Sequence, residues 1–125
     1  MKYDPHNIFA RLLRGDLPYH KITEGTHYLA FHDIQPKAPI HALVIPKGPY
    51  QNASVFHQSA PPPEIIDFYQ GVMETINLLD LQNGYRLISN TGAYANQEVP
   101  HFHIHILGGK PLGPLLALET SPYAG

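Results

Sequence analysis

The stretch His101-Phe102-His103-Ile104-His105-Ile106-Leu107 alternates between polar and apolar side chains. Successive side chains of a β-strand point to opposite faces, so the pattern predicts a strand over 101–107 with the three imidazoles on one face. Phe102, Ile104 and Ile106 would cover the other face and pack inward. The wet side of such a strand normally carries hydroxyl or charged residues, whereas histidines can donate, accept or attack near neutral pH. The stretch therefore predicts both a strand and a chemically active surface.

The composition is that of one ordinary globular domain. The chain has 125 residues, a net charge of −2 and no cysteine. We expect a single domain over 1–125, with a core of about 7–109 and an irregular tail over 110–125. The lack of cysteine excludes disulfides, thiolate zinc sites and thiol nucleophiles. Because there is no long basic surface, we expect no nucleic-acid partner, although a small nucleotide can be held by a few local groups.

Neither the N-terminal residues nor the apolar runs indicate a membrane or secretory segment. The stretch 1–6 lacks the apolar region of a signal peptide. The longest apolar run, 42–45, is far too short to span a bilayer. We therefore expect a soluble cytoplasmic protein with no membrane partner.

Periodicity and turn residues predict an α+β fold, with an antiparallel sheet of about five strands, one short N-terminal helix and one long helix. The predicted helices are 7–14, which Gly15 ends, and 64–81, which lies between Pro61-Pro62-Pro63 and Asn83-Gly84. The predicted strands are 21–24, 27–32, 41–45, 85–90 and 101–107, with loops over 34–39 and 91–100 and a surface segment over 50–63. A glycine-rich phosphate loop between a strand and a helix is missing, which disfavours a doubly wound α/β fold.

The histidine row allows three interpretations: structural hydrogen bonding, a metal site, or nucleophilic catalysis. Histidines at i, i+2 and i+4 spread over roughly 13 Å, too far for one tetrahedral ion with bonds of about 2.1 Å to gather all three. Two of them with a carboxylate from elsewhere in the chain would bind an ion more easily. However, Glu98 is the only acid nearby in sequence, so no adjacent carboxylate is available to orient the ligands. A neutral imidazole is also a good nucleophile at phosphorus, and flanking imidazoles can stabilise the phosphate oxygens. His103, flanked on both sides, is then the natural nucleophile.

The same row resembles the signature of the histidine triad (HIT) superfamily, His-x-His-x-His-x-x with apolar x, and matches it completely. The resemblance covers roughly 7–109 through several motifs in order. These motifs are Asn7-Ile8-Phe9, Arg14-Gly15-Asp16-Leu17-Pro18, Phe31-His32-Asp33-Ile34, 38–47, Gly84-Tyr85-Arg86, Asn90 and Gln97. The ending Gly108-Gly109-Lys110-Pro111 resembles the nucleoside phosphoramidase (Hint-type) branch more than the diadenosine polyphosphate hydrolase branch.

The resemblance implies a role for each matched residue. His103 would be the nucleophile, His105 would bind the phosphate, and His101 would orient His103 or take part in proton transfer. His41 would stand beside the triad, and Asp33 would accept hydrogen bonds from the ribose hydroxyls. The implied nucleoside pocket consists of Ile8, Phe9, Leu12, Phe31, His32, Ile34 and Leu43, and the implied phosphate loop contributes Asn90, Gln97 and Glu98. A simpler alternative to nucleotide binding is core packing for the apolar residues. For Asp33 and Asn90, the simpler alternative is a role in a turn.

Two positions depart from the Hint-type pattern. Many relatives carry glycine before the glutamine and serine or threonine after it, whereas this chain has Asn96 and Glu98. An ionised Glu98 cannot donate a hydrogen bond to a phosphate oxygen, so that contact does not transfer from the family.

The resemblance implies a purine nucleoside phosphoramidase. It would hydrolyse the P–N bond of nucleoside 5′-phosphoramidates through a nucleotidyl-histidine intermediate and release AMP or GMP, without a metal or other cofactor. The alternatives are a dinucleoside polyphosphate hydrolase, a nucleotidyl transferase, a nucleotide-binding regulatory protein with little turnover, and a metal-dependent hydrolase. A homodimer is also implied, because Hint-type proteins pair through the long helix and a sheet edge.

Overall fold

The computed structural model describes residues 2–116, which contain a five-stranded antiparallel sheet. Its strands are β1 (Lys21–Glu24), β2 (Tyr28–His32), β3 (Ile40–Pro46), β4 (Tyr85–Ile88) and β5 (Ile104–Gly108), in the spatial order β1-β2-β3-β5-β4. The helices are α1 (Ile8–Leu13), α2 (Ala53–Ser59) and α3 (Pro62–Leu78), with a short 3-10 turn at Ala93–Ala95. The predicted α+β fold is confirmed.

The two faces of the sheet pack against different partners. Ala42 and Val44 of β3 and Ile106 of β5 belong to a buried cluster with α3. The intervening residues of β3, such as Leu43, point to the other face and pack with Phe9 of α1. Since successive strand residues alternate between faces, β3 can carry apolar residues on both faces and still serve two clusters. The α3 side forms the larger core, and the α1 side is the face to which His41 and His105 belong.

The long helix α3 starts earlier and ends earlier than the predicted 64–81. It begins at Pro62, where the lack of an N–H costs nothing because the first helical amides have no intrahelical partner. It ends at Leu78, and Asp80 then adopts a left-handed conformation with φ 58°. The predicted apolar stripe faces the sheet, with Phe68 and Val72 buried against it.

The predicted surface segment 50–63 contains the helix α2, so the prediction was wrong for its middle part. The Asn52 side chain caps this helix by accepting a hydrogen bond from the Val55 amide at 2.9 Å. Phe56 is fully buried, and its ring packs against those of Phe68 and Phe102 at centroid distances of 5.1 and 4.9 Å. One well-placed aromatic residue therefore attaches a largely polar segment to the core.

The predicted histidine strand 101–107 starts later than expected, because β5 begins at Ile104. The amides of His101 and Phe102 donate to the carbonyls of Val99 and Tyr50, at 2.9 and 2.7 Å, instead of to a neighbouring strand. The alternation of side chains still holds, since Phe102 joins the α3 core while His103 packs against Phe9. Two of the three triad histidines thus lie on irregular backbone just before the strand.

Two further expectations concern the ends of the chain and the membrane. Residues 110–116 contain no helix or strand, and the rest of the predicted tail 110–125 lies outside the described residues. Within 2–116, no helix is long and apolar enough to cross a membrane.

Candidate active site

His41 and His105 meet because their strands are neighbours in the sheet. β3 and β5 pair so that Leu43 lies opposite His105 and His41 opposite Leu107. The ring centroids of His41 and His105 are 5.2 Å apart, and those of His103 and His105 are 5.0 Å apart. We call His41, His103 and His105 the histidine cluster.

His103 has the protonation pattern of a nucleophile. Its Nδ1 lies 2.7 Å from the main-chain carbonyl of His101, and a carbonyl only accepts, so the proton sits on Nδ1. The lone pair is therefore left on Nε2. Burial lowers the pKa of His103, more than the His101 carbonyl and the nearby Asp33 and Glu98 carboxylates raise it. The ring is neutral near neutral pH, and Phe9 packs against it at a centroid distance of 5.0 Å.

The His101 side chain is held by groups outside the histidine cluster. It is fully buried, its Nε2 donates to the Pro46 carbonyl at 2.8 Å, and its Nδ1 accepts from the Tyr3 hydroxyl at 2.6 Å. Burial lowers the pKa of His101 to about 4, so the ring is neutral. Both ring nitrogens are occupied within the protein. Of the two implied roles, the geometry supports orientation of His103, through the carbonyl of His101, over proton transfer.

His41 and His105 form a directed pair of hydrogen bonds. The Lys37 amide donates to His41 Nδ1 at 3.0 Å, so the proton of neutral His41 lies on Nε2. That proton is donated to His105 Nδ1 at 2.9 Å, which leaves the His105 proton on Nε2. Burial lowers the pKa of His41 and brings that of His105 to about 4. His105 thus has an N–H group beside His103, suited to stabilising an anionic oxygen.

Asp33, directly after β2, brings a carboxylate to this pair. One of its oxygens, Oδ2, lies 3.4 Å from His41 Nε2, and its side chain is 19% exposed. The other, Oδ1, accepts a hydrogen bond from the Gln35 amide at 2.8 Å. Asp33 therefore shapes the turn after β2 and also reaches the histidine cluster. The sequence alone indicated only Glu98 as an acid near the triad, because Asp33 is far from the triad in sequence.

Asp33, His41 and His105 could also be considered as metal ligands, since their ligand atoms lie within 4.8 Å of one another. The hydrogen bonds argue against this use. A metal on His41 Nε2 requires the proton to move to Nδ1, where it would face the N–H of Lys37. The donor set fits a chain of neutral imidazoles better than a metal centre.

The residues of the implied nucleoside pocket fall into two groups. Four are buried in the cluster on the α1 side of the sheet, namely Phe9, Leu12, Phe31 and Leu43. Three are exposed beside them, namely Ile8, His32 and Ile34. Ile34 exposes 79% of its surface and Ile8 46%, which is unusual for isoleucine and suits the rim of an apolar pocket. Core packing accounts for the first group without a ligand.

The residues of the implied phosphate loop lie in different environments. Asn90 is partly buried, two residues beyond Ile88, which pairs with His105. The Gln97 amide donates to the carbonyls of Gln51 and Val99 at 2.7 and 3.0 Å, and its oxygen accepts from the Gly92 amide at 3.0 Å. Gln97 therefore fastens the loop internally, and its implied phosphate contact stays a prediction. Glu98 is exposed, and its carboxylate is close enough to His103 to raise the pKa of that ring.

Sequence reasoning missed three contributors to this site: Tyr3, Lys37 and Pro46. Lys37 and Pro46 act through the main chain, with an amide and a carbonyl that carry no signature in the sequence. Tyr3 acts through its hydroxyl on His101, from a segment far away in sequence. One clue was available, because Asn7 directly before an apolar helix is a typical N-cap and would hold that segment in place.

Comparison with known proteins agrees with this geometry. The chain is 50% identical over 115 residues to an uncharacterized HIT-like protein of Azospirillum brasilense, covering 91% of this chain and 94% of that protein. It is 37% identical over 113 residues to the purine nucleoside phosphoramidase of Escherichia coli K12, covering 88% and 92%. A HIT family hydrolase of Clostridium thermocellum superposes with a TM-score of 0.78 at 32% identity, covering 90% and 97%.

The family profile of the HIT domain matches residues 14–112, a range that includes Asp33 and the entire histidine cluster. The α+β fold, the order of the motifs and the relatives all agree with that match. The chain therefore belongs to the HIT domain family.

Proposed function

We propose that this protein is a nucleotide hydrolase of the purine nucleoside phosphoramidase type, which cleaves the P–N bond of nucleoside 5′-phosphoramidates and releases AMP or GMP. The observation that carries the proposal is the hydrogen bond from His103 Nδ1 to the His101 carbonyl, which leaves Nε2 free to attack phosphorus. Support also comes from the Escherichia coli relative, which is named a purine nucleoside phosphoramidase.

The proposed reaction has two displacements at phosphorus. In the first, His103 Nε2 forms a bond to phosphorus, the P–N bond breaks, and the amine leaves with a proton from solvent. The positive charge that develops on the imidazole is stabilised by the His101 carbonyl, which accepts a hydrogen bond from Nδ1–H. In the second, water attacks phosphorus, the P–Nε2 bond breaks, and a proton is released with the nucleoside monophosphate.

The neighbouring groups would bind the substrate. His105 Nε2–H would donate to a phosphate oxygen, since its Nδ1 already accepts from His41. Asp33 would accept from the ribose hydroxyls, and Ile8 and Ile34 would contact the base. Asn90, Gln97 and Glu98 would line the side of the leaving group. None of these contacts needs a metal ion.

The first experiment measures release of a fluorescent amine from adenosine 5′-phosphoramidate, with and without EDTA. We expect turnover that EDTA does not change and that His103→Ala lowers by about a thousandfold or more, since the nucleophile is lost. His57→Ala is the matched control, because His57 is an exposed histidine on α2 and should leave turnover within about twofold.

Other outcomes point to other functions. Loss of turnover with EDTA, restored by a divalent ion, would support a metal-dependent hydrolase built on Asp33, His41 and His105. Cleavage of a diadenosine polyphosphate without cleavage of the phosphoramidate would move the assignment to the other hydrolase branch. Binding of AMP without any turnover would indicate a regulatory nucleotide-binding protein.

We also propose that the protein is a homodimer that pairs through α3. The outward side of this helix carries Ile65, Ile66, Tyr69 and Met73, which we call the outer α3 patch. Ile66 is 58% exposed and Met73 48%, so this side of the helix stays apolar where α3 does not contact the sheet. A second copy of the chain would cover this patch.

A further inference from the structure

The segment before α1 is connected to the triad by a chain of hydrogen bonds. Asn7 Nδ2 donates to the Tyr3 hydroxyl oxygen at 2.9 Å, and the Tyr3 hydroxyl contacts His101 Nδ1 at 2.6 Å. His101 Nε2 lies 2.8 Å from the Pro46 carbonyl, at the end of β3. The backbone carbonyl of His101 then accepts from His103 Nδ1. Hydrogen bonds thus connect Tyr3 and Asn7, which are far away in sequence, to the nucleophile His103.

The directions of these hydrogen bonds are fixed by the groups at their ends. The Pro46 carbonyl can only accept, so His101 carries its proton on Nε2 and accepts at Nδ1. Tyr3 must therefore donate to Nδ1, and its oxygen accepts from Asn7. Burial raises the pKa of Tyr3, which keeps its hydroxyl protonated as a donor. Each member of the chain has a partner on both sides.

His101 needs this support because it lies before β5 begins. Its amide donates to Val99, two residues earlier, and not to another strand of the sheet. The position of its carbonyl, which sets the tautomer and direction of the His103 ring, therefore depends on how firmly the buried His101 side chain is held. Tyr3 and Pro46 hold it at both ring nitrogens.

We propose that Tyr3 and Asn7 are positioning residues for the nucleophile. Tyr3 fixes the His101 ring, and Asn7 directs the Tyr3 hydroxyl toward it while also capping α1 through the amides of Phe9 and Ala10. Phe9 in turn packs against the His103 ring, so the start of α1 contacts the nucleophile from a second side. The proposal rests on the function proposed above, with His103 as the attacking group.

Tyr3→Phe is the direct test, because it removes the hydroxyl and keeps the ring. We expect kcat to fall about tenfold with KM within about twofold, since a lost orienting hydrogen bond acts on the transition state. Tyr50→Phe is the matched control, because the Tyr50 hydroxyl also makes a hydrogen bond, which it donates to Glu64 Oε1 at 3.1 Å on the α3 side of the sheet. We expect its kcat to stay within about twofold of the unchanged protein.

A readout independent of activity is the nitrogen-15 NMR signal of the histidine rings. In Tyr3→Phe we expect the His101 Nδ1 resonance to move toward the chemical shift of a ring nitrogen that accepts no hydrogen bond. We also expect the His103 Nδ1 proton to exchange faster with solvent. Absence of turnover in the unchanged protein would contradict the proposed function, whereas the NMR result would still decide whether Tyr3 positions His101 and His103.

Asn7→Asp separates positioning from helix capping. Aspartate keeps the acceptor that caps α1 but presents the Tyr3 hydroxyl with a competing acceptor in place of the Nδ2 donor. We expect this variant to reproduce the loss of kcat in Tyr3→Phe, and the double variant to lose little more than either one alone. An unchanged kcat in Tyr3→Phe, or additive losses in the double variant, would overturn the proposal.

Discussion

At the scale of single residues, three histidines in one row acquire three different roles from their hydrogen-bond partners. His101 is fixed between Tyr3 and Pro46, His103 donates from Nδ1 and keeps Nε2 free, and His105 accepts at Nδ1 and keeps an N–H on Nε2. The sequence shows three identical side chains at even spacing. Their tautomers are set largely by main-chain groups, and these partners become known only when the chain is folded.

Buried neutral histidines make the stability of the fold depend on pH, and His101 is the clearest case. Its pKa falls from 6.5 to about 4 on folding, so between these values the unfolded chain binds more protons than the folded one. Stability is then fully present above pH 6.5 and is lost as the pH falls toward 4. We expect His101 alone to contribute a loss on the order of 3 kcal/mol, measured by urea unfolding across this range.

The variant His101→Asn tests the source of this pH dependence. We expect it to be less stable than the unchanged protein at neutral pH but to lose less stability between pH 6.5 and 4, because the titrating ring is gone. His57→Asn, at an exposed position, should keep the original dependence. Equal slopes for all three proteins would show that His101 does not govern the acid side of stability.

At the scale of secondary-structure elements, the pattern of apolar residues identified the elements that bury a long stripe. β3 and α3 were predicted within a few residues of their observed bounds because each carries four or more apolar residues at the period of its structure. α2 was missed because among 53–59 a single residue, Phe56, is buried. The late start of β5 was missed because alternation predicts the direction of side chains and carries no information about strand partners.

At Gly71, α3 packs closely against Tyr28 of β2. A Cβ at this position would lie 2.5 Å from the Tyr28 Cγ and 2.6 Å from both Cδ atoms, which are attached close to the backbone of β2 and cannot move far. Alanine favours a helix over glycine by up to about 1 kcal/mol, whereas forcing an extra methyl into a packed core costs about 1–3 kcal/mol. We therefore expect Gly71→Ala to lower the free energy of unfolding by about 1 kcal/mol or more in urea titrations.

The neighbouring Gln70 provides the control for this change. It is exposed on the same helix turn, so Gln70→Ala alters helix propensity without any contact to Tyr28. We expect its stability to stay within about half a kcal/mol of the unchanged protein. If Gly71→Ala were as stable as Gln70→Ala or more so, the packing between helix and strand would be looser than these distances indicate.

At the scale of the whole molecule, the sheet brings four distant segments to one place. Groups within reach of the histidine cluster come from the start of α1, the end of β2, the beginning of β3 and the residues just before β5. The triad and its neighbours were predictable through the family signature. The joining of Asp33 to His41 depends on where β2 and β3 end, and the support from Tyr3 depends on how the N-terminal segment crosses the molecule; neither follows from a local pattern.

The arrangement of the sheet also leaves one large surface without a role in the site, the outer α3 patch. The inward side of α3 packs on the sheet, and the histidines lie on the opposite face of the sheet. Within the patch, Ile65 and Tyr69 pack partly against the core, whereas the exposed Ile66 and Met73 serve neither the core nor the chemistry. If a second copy covers this patch, the mass in solution should be twice 14.0 kDa. We expect Ile66→Glu to give a protein of 14.0 kDa by size-exclusion chromatography with light scattering, because a buried carboxylate at such an interface is costly.

Ile34→Glu, at a residue 79% exposed beside the site, is the matched control and should keep the mass of the unchanged protein. A single-chain mass for the unchanged protein at micromolar concentration would contradict the dimer, and the outer α3 patch would then need another partner.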